Sequence, residues 1–259
     1  FKLLLKFTVL LMAIILLLPL PKLKPSYSKI LYSKEGTLLA ASISDEQQWC
    51  FPLDGAIPEK LKKCIVTYED EYMDWHPGIN PVAVIKSLVL NIRYGKVKRG
   101  ASTLSMQVMR MKNKHAERSL INKIRETLGA IKYSLLNADD SILREWCEIA
   151  PFGGNTIGIK AASLRYFGRS LDKLSWSEYA MLAVMPNGPS SANLSFNRNV
   201  LLQKRNLLLQ KLKNRGFFDE NELAIYMDED MPFETKSLPQ YGYHALSFLS
   251  KKYPDKHIF

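Results

Sequence analysis

Between Ser119 and Leu136, apolar residues recur at three- and four-residue steps: Ile121, Ile124, Leu128, Ile131 and Leu135. That period predicts an amphipathic helix with a narrow stripe turned to a core. At about 100° per residue, Arg118, Asn122, Arg125, Glu126, Gly129 and Tyr133 fall on a separate, polar face, where Gly129 leaves room for close approach. Between Lys98 and Glu126 eight basic residues stand against two acidic ones. An isolated helix with such a face would be merely solvated. Here one carboxylate sits among guanidinium and ammonium groups, a less common arrangement.

The remaining punctuation is also mostly helical. Pro58 opens a helix that sets Leu61, Cys64, Ile65 and Tyr68 on one face and ends at Glu69. Asn80-Pro81 reads as an N-cap followed by proline at N1, ahead of Val82, Ile85, Leu88, Val89 and Ile92 and a stop near Gly95. Ser141 to Cys147 predicts another helix, and Pro151 to Asn155 a tight turn. Ser175 with Glu178 forms a capping box for a helix running through Met185. Asn199 to Arg215 is amphipathic and closed by Gly216, and Asp219 opens one more helix. Ile30 to Tyr32, a turn at Lys34-Glu35-Gly36, and Thr37 to Ile43 predict a short hairpin. The expected fold is mainly α, with a short β element near the N-terminus.

The formal net charge of +11 calls for an anionic partner. Neither a zinc-finger spacing nor an aromatic-rich basic sheet is present, so nucleic acid is not expected and an anionic membrane surface is. Phe7 to Leu20 is an uncharged apolar run approaching bilayer length. Pro19-Leu20-Pro21-Lys22 offers no small-residue cleavage site, so residues 1–21 are expected to be an uncleaved transmembrane signal anchor. Cys50, Cys64 and Cys147 lack metal-ligand spacing and read as small buried apolar residues.

Two stretches about thirty residues apart carry the chemistry. One is Glu69-Asp70-Glu71-Tyr72-Met73-Asp74-Trp75-His76-Pro77-Gly78; the other is Gly100-Ala101-Ser102-Thr103-Leu104-Ser105-Met106-Gln107. An acidic patch and a hydroxyl-rich turn ahead of a basic segment suit the transfer of a group from an anionic leaving group. With Lys123 and Glu126, Phe152-Gly153-Gly154 and Tyr166-Phe167-Gly168-Arg169 following in order, the chain resembles glycosyltransferase family 51. These are the peptidoglycan glycosyltransferases, and the likeness is to the N-terminal domain of class A penicillin-binding proteins of the C type. It covers roughly residues 28–193.

The resemblance implies a lysozyme-like helical head lobe with a smaller, membrane-proximal jaw lobe. It implies residues 22–57 as linker and β element, 58–232 as the glycosyltransferase domain, and 233–259 as the start of a connection to a transpeptidase domain absent from this chain. The implied reaction polymerises lipid II onto a growing glycan chain, inverts the MurNAc anomeric carbon and releases undecaprenyl pyrophosphate. The implied place is the bacterial cytoplasmic membrane, single-pass, with the catalytic part on the extracytoplasmic side, among other cell-wall synthesis proteins. No organic cofactor is implied; a divalent cation, Mg2+ or Mn2+, is allowed near Glu126.

By motif position, Glu69 corresponds to the base that takes the acceptor hydroxyl's proton, and Glu126 to the family's second catalytic glutamate. Arg110, Arg118, Lys123 and Arg125 correspond to cations around the pyrophosphate, and Ser102, Thr103 and Gln107 to neutral hydrogen-bonding partners of the substrate. Asp70 and His76 are expected to hold the loop that presents Glu69. Glu178 is assigned to its capping box, Lys112 and Lys114 to solvent or lipid contacts, and Met73, Met106, Met109 and Met111 to apolar packing. Departures from the family pattern are Met73, Met106, Arg110, Met111, Asn122, Ser134 and Glu148. Two rival functions remain open: a muramidase-like glycan hydrolase, and a non-catalytic membrane scaffold.

Overall fold

The computed structural model describes residues 6, 10, 12–13, 15–95, 101–113, 119–186 and 197–259. Gly100, Lys114 and Arg118 lie outside them, as does much of the 1–21 segment. The chain divides into two units, one of residues 1–23 and 69–146, the other of 24–68 and 147–259.

The second unit begins with the expected hairpin. Strands β1 (Lys29–Tyr32) and β2 (Leu38–Ser42) pair antiparallel, with Lys29 opposite Ser42 and an irregularity between Leu31 and Tyr32. A short β3 (Trp49–Cys50) pairs in parallel with β4 (Thr156–Ile157), a two-stranded element that no sequence pattern announced. Helix α1 (Glu59–Glu69) buries Leu61, Cys64 and Ile65, as its period predicted, and ends on Glu69. Ile30, Ala41, Phe51, Ala161, Leu164 and Leu238 form a core around the hairpin. All three cysteines are buried, and none is in a disulfide.

In the first unit, helix α2 (Pro81–Tyr94) starts as expected. The Asn80 side chain accepts the Ala83 N–H, proline occupies the first turn, and Gly95 closes the helix in the left-handed region at φ 63°. Helix α3 (Leu104–Lys112) follows the hydroxyl-rich stretch, and its first six residues are all buried. Helix α4 (Leu120–Leu136) is the regular helix read from the sequence, capped by Ser119. It packs against α3, but not through its isoleucine stripe. Ile121, Ile124 and Leu135 are exposed, whereas Gly129, Ala130 and Tyr133 are buried. The face expected to be polar therefore supplies the packing: Gly129 and Ala130 let the helices approach, and a Cβ on Gly129 would stand 3.5 Å from Met109 Cγ and Sδ. Val82, Ile85, Val89 and Ile92 of α2 are exposed too, Ile92 at 72%. Periodicity finds the apolar face but not what covers it.

Helix α5 (Asp139–Ile149) extends beyond the expected 141–147 at both ends. In the second unit α6 (Ile159–Ala162) continues into a π turn over Ser163–Phe167. The expected capping box opens α7 (Trp176–Val184) at Ser175, and α9 (Glu220–Asp228) starts at Asp219 as expected, there too with a capping box. Between them, α8 (Arg198–Asn214) buries Leu201, Leu208, Leu209 and Leu212. It also buries Arg205, whose guanidinium donates to Glu229 O at 2.6 Å and Met227 O at 2.8 Å and so satisfies carbonyls at the end of α9. Helix α10 (Tyr243–Lys252) was not foreseen. It lies on the hairpin, with Leu246 packed on Leu31 and Ala40.

Among the described residues, no helix is long and apolar enough to cross a membrane. Near the N-terminus, Ile15 is buried, and the Lys132 ammonium of α4 donates to Leu16 O at 2.5 Å and Leu18 O at 2.7 Å.

Three phenols of the second unit, Tyr166 and Tyr179 buried and Tyr32 half-buried, are pushed up to about 12 by desolvation, in Tyr32 with help from Asp54 and in Tyr179 from Asp172. Tyr166 donates to Phe152 O and Tyr179 to Leu171 O, each at 2.6 Å. Because the folded values exceed the ordinary value near 10, the unfolded chain releases these protons first. The stability they support is complete below about pH 10 and is lost as pH rises toward 12. Denaturant titrations should show a steep fall in unfolding free energy across that window, with native tyrosinate absorbance lagging that of the unfolded chain. A flat profile would contradict the burial.

Candidate active site

Glu69 is the last residue of α1, and the chain turns at once into a loop that folds back on α3. Asp70 makes that turn. Its Oδ1 lies 2.9 Å from His76 Nε2, and its Oδ2 accepts the Leu104 N–H at 3.0 Å. A carboxylate at the start of α3 meets both an unsatisfied amide and the positive end of the helix dipole. Thr103 adds a second link. Its hydroxyl donates to Gly78 O at 2.6 Å and also accepts the Met106 N–H as the N-cap. The loop expected to present Glu69 is thus held at both ends, and Asp70 and His76 have the structural role expected of them.

The Glu69 carboxylate faces α3. Gln107 Nε2 donates to Glu69 Oε2 at 2.6 Å, while Gln107 Oε1 accepts the Trp146 indole N–H at 2.9 Å. An indole N–H only donates, so it fixes which end of the amide points at Glu69. Trp146 was not singled out from the sequence. It sits on the apolar face of α5, and one tryptophan there signals packing, not a hydrogen bond to a polar partner.

A second group forms at the start of α4. Lys123 Nζ donates to Ser102 Oγ at 3.1 Å and to Glu126 Oε2 at 3.3 Å. Glu126 thus orients Lys123, and the ammonium remains 45% exposed. Arg110 on α3 and Arg125 on α4 are exposed. The structure therefore joins Glu69 to Gln107, and Ser102 to Lys123 and Glu126. Helix α3 connects the two groups, because Ser102 directly precedes its cap and Gln107 lies on its second turn. Thr103 is different: its hydroxyl is buried and committed to the loop and the cap, so it is a positioning residue.

Lys112 corrects another expectation. Its ammonium is not a surface contact but pairs with Glu145 Oε1 at 2.7 Å and lies 4.6 Å from the centre of the Tyr133 ring. Tyr133 also donates to Glu145 Oε2, and its phenol is raised by burial first and by this carboxylate second. This trio binds α3, α4 and α5 together. Ser134, one of the departures, bonds Ser105 Oγ at 2.7 Å. Met73, Met106 and Met109 are buried, as expected. Glu178 makes its capping box and pairs with Arg169. Among the described residues no three His, Cys, Asp or Glu side chains converge as a divalent-cation cage requires. Glu126 is engaged by the Lys123 ammonium.

These features meet a clear set of relatives. A family model described as Transglycosylase matches residues 35–213. Penicillin-binding protein 1C of Escherichia coli (strain K12) is 30% identical over 224 residues, covering 86% of this chain and 29% of that protein. Penicillin-binding protein 1A of Aquifex aeolicus (strain VF5) is 31% identical over 244 residues, 91% of this chain and 33% of its own length. A crystal structure of penicillin-binding protein 1A from Haemophilus influenzae aligns with a TM-score of 0.45 at 16% identity, over 90% of this chain and 25% of that one. The chain belongs to the transglycosylase family, in the form found as the glycosyltransferase domain of class A penicillin-binding proteins. It spans about a third of the length of these curated relatives.

Gly78 tests the scaffold of the site. Its φ is +83°, and an added Cβ would stand 2.3 Å from Ala130 O and 2.9 Å from Ser134 Oγ, on α4. Gly78→Ala should cost about 3 kcal/mol from backbone strain and overpacking combined. Urea denaturation reads it; an unchanged midpoint would mean that the loop does not rest on α4 as described.

Proposed function

We propose that this chain is a peptidoglycan glycosyltransferase that polymerises lipid II. Glu69 accepts the proton of the acceptor GlcNAc 4-hydroxyl as that oxygen attacks C1 of the donor chain's terminal MurNAc. The C1–oxygen bond to the diphosphate breaks, undecaprenyl pyrophosphate departs, and the single displacement inverts the anomeric centre. The observation that carries this reading is the Trp146–Gln107–Glu69 relay, which holds one carboxylate in a defined orientation at the end of a helix. A general base needs that placement before it needs anything else.

Lys123, steadied by Glu126 and Ser102, with Arg110, Arg125 and Arg118, receives the charge that builds on the leaving diphosphate. Fixed cations act most strongly where charge grows in the transition state. Arg110 and Arg125 are free to follow the diphosphate, whereas Lys123 is oriented in advance. A hydrolase of neutral glycan has no use for such a group, which disfavours the muramidase alternative.

The place of action is the bacterial cytoplasmic membrane, with the catalytic part on its outer side, alongside other cell-wall synthesis proteins. Support comes from the exposed apolar residues of α2 and α4, since a water-facing helix has little reason to display Ile85, Val89, Ile92, Ile121 and Ile124.

Glu69→Gln, near-isosteric and able to hydrogen-bond, should lower lipid II polymerisation by about 10² to 10⁴-fold with an unchanged circular dichroism melt. Wild type should lengthen glycan from lipid II and leave finished glycan uncut. Full activity in the variant would remove Glu69 as the base, and cleavage of finished glycan would favour the hydrolase. For the membrane contact, an environment-sensitive dye on Ile85→Cys should shift to the blue when the chain meets anionic vesicles. The buried native cysteines should stay unlabelled. An unshifted dye would take this face out of the membrane.

A further inference from the structure

At the open end of the β1–β2 hairpin the second unit holds a polar cavity of about 480 Å³. Three stretches wall it: Ser26 to Lys29 entering β1, Ser42 to Asp45 leaving β2, and α10 with the turn after it, from Tyr243 to His257. The residues from Tyr243 onward, like Ser26 to Lys29, fall outside the span of the matching family model. None of the lining residues belongs to the Glu69 or Lys123 groups.

The walls are rich in hydroxyls and biased to positive charge. Lys29 spends two of its three ammonium protons on Ser250 O at 3.2 Å and Pro254 O at 2.9 Å, which fixes it at the wall with one proton to give. Lys251 lies beside it, and Asp45 is the single lining carboxylate, so the local formal balance is one positive charge. The hydroxyl-bearing Ser26, Ser42 and Ser247 line the same walls. The His257 ring is held by an edge contact with Tyr27 at 5.5 Å. A fixed ammonium and several serines thus share one cavity, and the volume falls within the range of small-molecule sites.

We infer that this cavity binds a small ligand carrying one carboxylate among hydroxyl or amide groups. The carboxylate meets Lys29 and Lys251, and the neighbouring polar groups of the ligand meet the hydroxyls of Ser26, Ser42 and Ser247. A single excess positive charge suits a monoanion. Such a carboxylate occurs on an acidic amino sugar and at the end of a short peptide, and the two sources are separable by experiment. The inference stands apart from the reading of Glu69 and survives its failure.

The test is calorimetric titration of the full chain in detergent with N-acetylmuramic acid, N-acetyl-dialanine and uncharged N-acetylglucosamine. At least one carboxylate probe should bind saturably, at least tenfold more tightly than N-acetylglucosamine, and the one preferred identifies the source. Lys251→Glu, at an exposed position that folding does not depend on, should weaken it tenfold or more. Ser247→Leu should fill the cavity and abolish it, and Glu69→Gln should leave it unchanged. The inference is overturned if neither carboxylate probe saturates or N-acetylglucosamine binds equally well. An indifferent Lys251→Glu overturns it too, as does loss of binding in Glu69→Gln, which would place the ligand at the other site.

Discussion

The candidate site rests on one buried carboxylate that does no chemistry. Asp70 bridges the imidazole of His76 and the first amide of the helix Leu104–Lys112. Because Asp70 follows Glu69 directly, whatever fixes one fixes the backbone of the other. The Thr103 hydroxyl pins the far end of the same loop through Gly78. Without these links Glu69 would have no reason to meet Gln107. An ionised group buried at 5% exposure is stable only when its acceptor positions are filled. Here an imidazole and a helix terminus fill them, so folding of the loop and placement of the carboxylate are one event.

The two halves of the site are built by opposite strategies. On one side a rigid relay of indole, amide and carboxylate leaves little freedom, and each member is at least half-buried. On the other side, among the described residues, the cations are exposed and only Lys123 is guided, by a weak ion pair and a hydroxyl. An exposed pair of that kind contributes about 0–1 kcal/mol to stability, so its value lies in orientation. The separation suits a reaction in which a proton must go to one fixed point while a large, flexible anion departs. Lys112, Glu145 and Tyr133, far less exposed, tie together the three helices that carry both halves.

Much of this was legible in the sequence wherever a local rule decided the structure. Asn80-Pro81, Ser175 with Glu178, and Asp219 marked helix starts because capping is settled within four residues. The order of motifs pointed to Glu69 and to Lys123 with Glu126. The errors came where the answer depended on a distant partner. Periodicity drew the isoleucine stripe of Leu120–Leu136 correctly and assigned it to a core; the buried side is the one with Gly129 and Ala130, because close helix approach decided the packing. Lys112 looked like a surface cation because nothing local announces Glu145. The helix at Leu104–Lys112 was hidden behind its own cap, whose serine and threonine read as a turn. Tyr243–Lys252 was missed for a similar reason: its stability comes from Leu246 resting on the hairpin, a contact across about two hundred residues.

Lys132 and Lys123 stand on the same helix, two and a half turns apart. The first is anchored to the carbonyls of Leu16 and Leu18. A helix is stiff over that distance, so the two ammonium groups move as points on one rod. The polypeptide leaving the apolar N-terminal stretch is thereby clamped to the rod that carries the guided cation. Any rise, sink or swivel of that stretch is felt by Lys123 as a change of height and bearing. The clamp works as a tether, tying the position of the guided charge to that of the N-terminal stretch.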